Sequence, residues 1–422
     1  INPNLFEVTE TKDEYKTYFV GSELSNETQE EILEILNEMR DAKEYGSLVT
    51  TSTRSYDDII NEISNANFSL FNDVVNENIV PLIKCAKVLS MKFDVTVTNP
   101  PYTPLSGCSA KINNFAKEKY PDSKSDFCSV FIERCHGMTE KYGYQAMITM
   151  HSWMFLSSFE KLRKKLLINN TIINMAHLGV RAFEEIGGEV VQTTSFIFIS
   201  NYIKDYISSF KRLVDFKSQD SKEEGYLEAG YLYQTKAINF SKIPGSPIAY
   251  WASRAMLSDF TIGVRLDSVA CPKQGIKTAD KDRFLRAWYE VDLNKMSVFA
   301  ATNSPKWYPC NKGGSFRKWY GNNEYVVNWE NNGYEICNFR DENGKLKSRP
   351  QNLQYMLREG ITYTNISISS FGARYSPAGY IYDAAGSGIF CNDNQMIPYI
   401  LAFLTSEVAA AFTKITSPTM SF

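Results

Sequence analysis

The stretch FDVTVTNPPY, residues 93–102, decides the fold of this chain. Its first six residues alternate apolar and polar side chains and are rich in valine and threonine, which predicts a β-strand over 93–98. The prolines of Asn99-Pro-Pro-Tyr102 end that strand, because proline has no N–H to donate to a sheet. Ligands of α/β proteins bind beyond the carboxyl ends of strands, so Asn99 and Tyr102 are candidate ligand contacts. The alternative is a rigid turn in which Tyr102 only packs.

Strand and helix patterns alternate after this stretch. They predict helices over 125–142 and 158–168, and strands over 144–150, 171–178 and 194–200. On the 158–168 helix we expect Leu162 and Leu166 to pack inwards while the basic residues, Arg163 among them, face water. This order of elements predicts an α/β fold with a mainly parallel sheet.

Charge divides the 422 residues into three regions. Residues 1–90 carry 7 basic and 17 acidic residues, whereas the rest of the chain is slightly basic and the total charge is −3. The acidic region is expected to be helical, with one helix capped by Asn26 and another over 79–91. The apolar residues of the first helix are expected to share one face: Ile32, Leu33, Ile35, Leu36 and Met39. From about residue 250 the sequence becomes rich in glycine, asparagine and tryptophan, which predicts a separate mixed domain after a linker near 239–247. The predicted divisions are therefore 1–90, 91–240 and 250–422.

Composition excludes several classes of protein. A net charge of −3 is not that of a uniformly basic nucleic-acid binder. The eight cysteines contain no C-x-x-C pair, and none of the three histidines has a neighbour at metal-ligand or catalytic-triad spacing, so we expect no metal site and no disulfide framework. No apolar run approaches 20 residues, and we expect a cytoplasmic protein.

Asn99-Pro-Pro-Tyr102 resembles the motif of amino-group DNA methyltransferases, in the form typical of N6-adenine enzymes. Further segments resemble the same family in the same order: 125–133, 143–156, 159–163, 178–179, 183–184 and 189–196, then 306–309, 311–314, 317–322, 326–329 and 417–422. This order looks like that of the gamma-type adenine methyltransferases with a target-recognition domain, most closely the PglX-type methyltransferases of BREX phage-defence systems.

The resemblance implies a domain plan and a set of site residues. It implies a helical insertion or lead-in at 1–90, the catalytic half of a Rossmann-like methyltransferase domain at 91–240, and an α+β target-recognition domain at 250–422. The Asn99 side chain and the Pro100 carbonyl would accept the two hydrogens of the adenine amino group. Pro101 would fix the geometry of Pro100, and Tyr102 would stack on the flipped base.

The base pocket and the DNA contacts follow from the same resemblance. Asp126 and Phe127 are expected near the target base, with helix packing as the alternative for Phe127. Double-stranded DNA is the expected partner, with other BREX proteins as further candidates. The basic residues expected to contact DNA are Lys306, Lys312, Arg317, Lys318 and Arg374, of which Lys312 and Arg317 flank a Gly-Gly loop that allows close approach to phosphate.

The family's cofactor is S-adenosyl-L-methionine, which it holds on an aromatic-x-Gly-x-Gly loop ahead of the motif strand. Residues 1–92 contain no such loop, and Ala-Ala-Gly-Ser-Gly-Ile at 384–389 is interpreted as a turn instead. We therefore expect a piece of a longer protein that is inactive alone, with its cofactor loop upstream.

Two other functions remain open at this stage. The chain could be the methyltransferase half of a fused restriction-modification enzyme. It could also be a sequence-specific DNA-recognition subunit without catalysis of its own.

Overall fold

The structure is a computed structural model that describes residues 12–68, 71–183, 191–298, 304–365 and 371–416. The chain divides into two compact units: Ile1–Ser241 with Gly245–Trp251, and Lys242–Pro244 with Ala252–Phe422. Unit 1 includes residues of both the acidic region and the predicted 91–240 region. Whether the three predicted regions are separate domains stays a prediction.

Unit 1 contains a run of helices followed by a six-stranded sheet. Its helices are α1 (Lys12–Thr17), α2 (Asn26–Glu38), α3 (Ala42–Tyr45), α4 (Tyr56–Asn65), α5 (Asn72–Val74), α6 (Val80–Ser90), α7 (Ala110–Lys119), α8 (Phe127–Met138), α9 (Glu160–Asn169) and α10 (Gln219–Leu227). Its strands are β1 (Phe93–Thr98), β2 (Thr139–Met150), β3 (Thr171–Gly179), β4 (Thr193–Ile199), β5 (Ile207–Arg212) and β6 (Leu232–Lys236).

Helices α1 to α4 and α6 share one apolar core. Helix α2 buries Ile32, Leu33, Ile35 and Leu36 on one face, which confirms its predicted amphipathic pattern. Its N-cap is Ser25 and not Asn26, because Ser25 has the extended backbone of a cap and its side chain accepts a hydrogen bond from the Thr28 amide.

Arg134 on α8 joins this helical segment to the rest of unit 1. The guanidinium is buried and donates to the carbonyl oxygens of Ser47, Val49 and Leu89, at 2.8 to 3.0 Å. The Tyr120 hydroxyl adds a buried hydrogen bond to the Leu48 carbonyl oxygen at 2.8 Å. Backbone groups of the acidic region are thus satisfied by side chains from the α/β part.

The sheet has the strand order β1-β2-β4-β3-β5-β6. Pairs β1–β2 and β3–β5 are parallel, while β4 pairs antiparallel with both β2 and β3, and β6 pairs antiparallel with β5. The sheet is α/β as predicted but mixed, so the expectation of mainly parallel pairing is wrong. β4 follows β3 in the chain and pairs with it in the antiparallel direction. Antiparallel neighbours can be joined without the crossover connection that parallel strands need, which explains the mixed sheet.

Two local predictions in this region are also wrong. Arg163 on α9 is 1% exposed instead of facing water, because it donates to the carbonyl oxygens of Trp153, Leu156 and Gly245. Helix α8 ends at Met138, four residues before the predicted end, since Thr139 is already extended and pairs with Phe93 of β1.

Unit 2 contains two four-stranded sheets of order β13-β9-β10-β8 and β12-β11-β14-β7, with short helices around them. Its strands are β7 (Ala270–Lys273), β8 (Leu285–Ala287), β9 (Trp307–Asn311), β10 (Tyr325–Asn328), β11 (Gly360–Thr364), β12 (Ala373–Ser376), β13 (Ile381–Tyr382) and β14 (Gly386–Cys391). Its helices are α11 (Arg254–Ile262), α12 (Lys281–Phe284), α13 (Glu330–Cys337), α14 (Ile397–Leu404) and α15 (Glu407–Thr416).

The glycine-containing stretch 384–389 is not a simple turn. Its second half belongs to β14, a fully buried strand. A Cβ on Gly386 would lie 2.3 Å from the Asn311 carbonyl oxygen, so this glycine allows two backbones to approach closely. Close packing of two backbone segments therefore explains Gly386, which the sequence analysis had placed in a turn.

Within the described ranges, no single helix is long and apolar enough to cross a membrane, and one bent pair, Asn394–Leu404 with Glu407–Thr416, meets the length and composition criteria.

Candidate active site

Residues 99–102, here called the motif loop, leave the carboxyl end of β1 as the sequence predicted. β1 is an edge strand that pairs parallel with β2, in register Thr98 to Met147. Asn99 is exposed, Pro100 is buried and Tyr102 is half-buried. The loop therefore presents an exposed carboxamide and, three residues later, a half-buried aromatic ring whose hydroxyl end is buried.

Residues 125–128, here called the 125–128 turn, hold the chain just after the motif loop. The Leu105 amide donates to the Ser125 carbonyl oxygen at 3.2 Å, and the Phe127 amide donates to the Thr103 carbonyl oxygen at 3.1 Å. Pro104 and Asp126 form an isolated antiparallel bridge. This short ladder ties the motif loop to the start of α8, although more than 20 residues separate the two in sequence.

Asp126 and Phe127 both lie in this turn, with their side chains used in packing. The Asp126 carboxylate is the N-cap of α8 and accepts from the Ser129 amide at 2.7 Å and the Ser129 hydroxyl at 2.8 Å. Burial raises the pKa of this carboxyl, although the bonds from Ser129 act in the opposite direction. Phe127 packs with Leu105 and Val130. A direct role of either residue in binding a base stays a prediction.

Tyr102 is directed towards a second aromatic residue that sequence reasoning had given no role. Its ring centroid lies 6.2 Å from that of Phe183, with the planes inclined by 56°. The Tyr102 hydroxyl is buried without a hydrogen-bond partner among the described residues, and burial raises the pKa of this phenol. Phe183 is distant in sequence, so no spacing signal could have placed it here. The neighbouring residues 184 and 189–190 of the resembling segments lie outside the described residues.

Two histidines that the sequence left unconnected meet near the carboxyl ends of β2 and β3. His151 Nδ1 lies 2.8 Å from His177 Nε2, and His177 Nδ1 lies 3.1 Å from the Tyr250 hydroxyl. Burial lowers the pKa of His151 to about 4. Burial also lowers the pKa of His177, helped by the positive charges of Arg212 and Lys222. Both rings are therefore neutral at pH 7, which fits their mutual hydrogen bond.

The described residues ahead of β1 do not form a cradle for S-adenosylmethionine. The only glycines before the motif strand are Gly21 and Gly46, which lie far apart in the helical segment, and a Cβ on either would meet open space. The β1 edge instead exposes Val95 and Val97, at 56% and 72%. Cofactor-binding residues are thus not found in this part of the chain, and no group of three potential metal ligands occurs among the described residues.

Unit 2 contains the five basic residues predicted to contact DNA, and it does not bring them together as one exposed patch. The Lys312 ammonium lies 3.9 Å from the centre of the Tyr325 ring, and Lys318 Nζ donates to the Thr405 carbonyl oxygen at 2.8 Å. Arg374 is 1% exposed, and burial lowers its pKa. The Lys306 ammonium lies 3.8 Å from Glu330. Of these five residues, Arg317 is exposed and the other four are buried or half-buried.

Residues 312–322, here called the basic loop, nevertheless form an exposed surface around Arg317. Phe316, Trp319 and Tyr320 are 43%, 53% and 69% exposed. Trp319 has a φ of 71°, which is costly for a residue other than glycine. Backbone hydrogen bonds to Ala373 and Tyr375, both 2.9 Å, hold it there. An exposed aromatic residue that is fixed at a cost in strain is a candidate contact with a partner.

Comparison with known proteins places the motif loop in a family context. Residues 11–183 match the model described as Eco57I restriction-modification methylase. Over 100% of its length the chain is 40% identical to "Adenine-specific methyltransferase PglX" of Lacticaseibacillus casei (strain Zhang), of which it covers 37%. Over 82% of its length it is 39% identical to "Adenine-specific methyltransferase BrxX" of Escherichia coli O9:H4 (strain HS), of which it covers 28%.

The chain therefore spans 37% of the length of the first relative and 28% of the length of the second. Among solved structures, it is similar to the Type IIL restriction-modification enzyme MmeI in complex with DNA, with 13% identity, a TM-score of 0.43, and coverage of 74% of this chain and 42% of that one. The motif loop and its 125–128 turn both lie within the matched residues 11–183. This chain contains a methylase domain of the Eco57I restriction-modification family.

Proposed function

We propose that this chain supplies the base-binding motif and the DNA-recognition surface of an S-adenosylmethionine-dependent, site-specific DNA adenine-N6 methyltransferase in a BREX-type phage-defence system. The observation that carries the proposal is the motif loop: Asn99 exposed at the carboxyl end of β1, with Tyr102 beside it. The identities of 40% over 100% of this chain and 39% over 82% of it, to two proteins named adenine-specific methyltransferases, support the same target.

The residue types of the loop suit an amino group that is a poor nucleophile. The lone pair of the adenine amino group is delocalised into the purine ring. The Asn99 side-chain oxygen and the Pro100 carbonyl oxygen would each accept one of its N–H bonds, which favours a pyramidal nitrogen with an available lone pair. Neither acceptor needs to change its protonation state, so this role requires no histidine or cysteine base.

Tyr102 would compensate for part of the cost of removing the adenine from the duplex. Flipping a base costs a few kcal/mol of lost stacking and pairing. Stacking on an aromatic side chain returns about 1–3 kcal/mol per base. Phe183, across from Tyr102, would limit where the base can lie.

S-adenosylmethionine, which the family implies, carries an electrophilic sulfonium methyl group when bound. The described residues ahead of β1 do not fit that cofactor, so we infer that other parts of the protein hold it. Isothermal titration of this chain alone with S-adenosylmethionine checks this: no binding is expected, and binding in the micromolar range would place the site in this chain.

DNA would be held by the basic loop of unit 2. Its exposed Arg317 is suited to a phosphate, and its exposed rings Phe316, Trp319 and Tyr320 are suited to stacking or wedging at bases. Such a surface would supply recognition in the absence of a basic net charge. We also propose other BREX proteins as partners, to be sought by co-purification.

The test is transfer of a labelled methyl group to DNA by this chain extended to the length of its curated relatives. Wild type is compared with Asn99→Ala, and methylated adenine and cytosine are separated. We expect N6-methyladenine from wild type, reduced by roughly 10²–10³-fold in the variant, the loss typical of removing one hydrogen bond to the reacting group. Asn26→Ala serves as the matched control on the helical segment and keeps full activity.

The two other functions predict different results. Tight DNA binding without any transfer would indicate a recognition subunit. Transfer accompanied by cleavage of unmethylated DNA would indicate a fused restriction-modification enzyme.

A further inference from the structure

A buried thiol lies directly beneath the motif loop. Cys128 is in the first turn of α8 and is 1% exposed. Its sulfur lies 3.5 Å from the carbonyl oxygen of Pro101, to which the S–H donates. The amide of Met150, at the end of β2, is directed at the same sulfur. One side chain thus connects the motif loop with the neighbouring strand.

The thiol remains a donor at any pH of interest. Burial is the largest influence on Cys128 and raises its pKa to about 12. Sulfur hydrogen bonds are weak, yet the buried thiol has no access to water, so the Pro101 carbonyl oxygen is the acceptor within its reach.

Holding the Pro101 carbonyl also orients the carbonyl before it. Residues that precede proline are confined to extended or polyproline backbone, so both Asn99 and Pro100 are restricted in this way. The angle between the Pro100 and Pro101 carbonyls is set by the φ and ψ of Pro101. The proline ring fixes that φ, and the hydrogen bond from Cys128 to the Pro101 carbonyl restricts that ψ, so the bond also limits how the Pro100 carbonyl can turn.

We propose that Cys128 is a positioning residue for the motif loop: it fixes the Pro101 carbonyl, and through it the Pro100 carbonyl that accepts a hydrogen from the target amino group. The inference rests on the proposed function, and it goes beyond it by assigning a role to a residue that need not touch the base. The competing explanation is that Cys128 only fills space, as many buried cysteines do.

Cys135 provides a matched control on the same helix. It is 4% exposed, packs in the core cluster with Ile132 and Met147, and lies seven residues further along α8. Replacing either cysteine by alanine removes one buried sulfur from α8. Only the replacement of Cys128 removes the donor to the motif loop.

The experiment measures kcat, the KM for DNA and thermal unfolding in the extended protein, for Cys128→Ala, Cys128→Ser and Cys135→Ala. We expect Cys128→Ala to lower kcat about tenfold, the effect of about 1.4 kcal/mol, with the KM for DNA nearly unchanged. Cys128→Ser should recover most of the loss, because a hydroxyl can donate to the same carbonyl. Cys135→Ala should lower the unfolding temperature comparably and leave kcat within about twofold.

Two results would overturn the proposal. One is an unchanged kcat in Cys128→Ala. The other is a loss in Cys135→Ala that equals the loss in Cys128→Ala, which would show that packing alone matters. If wild type transfers no methyl group while it binds DNA, the proposed function has failed. The mobility of the motif loop is then measured directly, as hydrogen exchange in residues 99–105, which Cys128→Ala must still change and Cys135→Ala must not.

Discussion

The motif loop of unit 1 and the basic residues of unit 2 were both predicted from the sequence as contact residues, and they differ in how far the structure exposes them. Asn99 is exposed and Tyr102 is half-buried, within the four residues that directly follow β1. Of the basic residues, Lys312 lies on Tyr325, Lys318 binds a backbone carbonyl and Arg374 is buried. The relative positions of contiguous residues after a strand are set by the local backbone. Basic side chains that are scattered along the sequence instead contact whichever acceptor groups and rings the fold places near them.

The two loops also differ in the conformational strain of their backbones. The motif loop is held by hydrogen bonds from the 125–128 turn, with prolines that already favour its backbone. The basic loop has positive φ angles at Gly313, Gly314 and Gly321 and also at Trp319, where a side chain makes that conformation unfavourable. Asn322 also has a positive φ, but it is buried and asparagine tolerates that conformation, so the strain at the exposed Trp319 is the feature that makes it a stronger DNA-contact candidate than the lysines around it.

After Asn99→Ala, the largest effect is expected at Tyr102, where the ring and the hydroxyl can be tested separately. Tyr102→Ala should lower methyl transfer by about 100-fold, near the upper end of the 1–3 kcal/mol that stacking contributes. Tyr102→Phe should stay within about threefold of wild type and should not destabilise unit 1, since it removes a buried hydroxyl that lacks a partner among the described residues. Steady-state methylation with thermal unfolding checks both variants. A large loss in Tyr102→Phe would mean that the hydroxyl binds the DNA.

Acid should distinguish the two units, because all three histidines of the chain lie in unit 1. The folded-state pKa of His151 is about 4, below its unfolded value of 6.5, so the unfolded chain takes up the proton first as the pH falls. Its stabilising contribution is therefore complete above about pH 6.5 and is lost towards pH 4, by about 2 kcal/mol at pH 5. The positive charges of Arg212 and Lys222 lower the pKa of His177 in the same way.

Hydrogen exchange read by peptide at pH 7.5 and pH 5 measures this difference. Peptides from β2 and β3 should lose more protection than peptides from β11 and β14, after correction for the intrinsic exchange rates. His151→Gln should reduce the pH dependence in unit 1. Equal losses in both units would contradict the assignment to the histidine pair.

The basic loop should give the smallest effects, and they should divide according to exposure. Arg317→Ala and Trp319→Ala are each expected to weaken DNA binding about tenfold, the size of one phosphate or stacking contact at moderate salt. Lys318→Ala should leave the affinity within about twofold, because its ammonium is already engaged by the Thr405 carbonyl, and should instead lower the stability of unit 2. Fluorescence anisotropy at two salt concentrations measures the affinities. Equal losses for Lys318 and Arg317 would show that exposure does not identify the contact residues.

Sequence patterns predicted local structure well for elements in which apolar and polar residues alternate or occupy separate faces. The β1 strand lies at 93–98 as predicted, and α2 buries the predicted face. The same reasoning placed Arg163 in water, since a charge on an amphipathic helix usually faces solvent. In the structure Arg163 is buried instead, because its guanidinium donates hydrogen bonds to the carbonyl oxygens of Trp153 and Gly245. The local sequence pattern does not predict these bonds.

The sequence by itself determined the motif loop, its place at the end of a strand, the α/β character of unit 1 and the family to which its methylase domain belongs. These depend on contiguous residues, whose geometry is set by backbone sterics and by alternation along one strand. Only the tertiary structure decided that Cys128 lies under Pro101, that Phe183 faces Tyr102, that His151 meets His177, and that Arg134 and Arg374 are buried. Such contacts join residues far apart in the chain, and long polar side chains take their positions from the hydrogen-bonding groups that folding brings within reach.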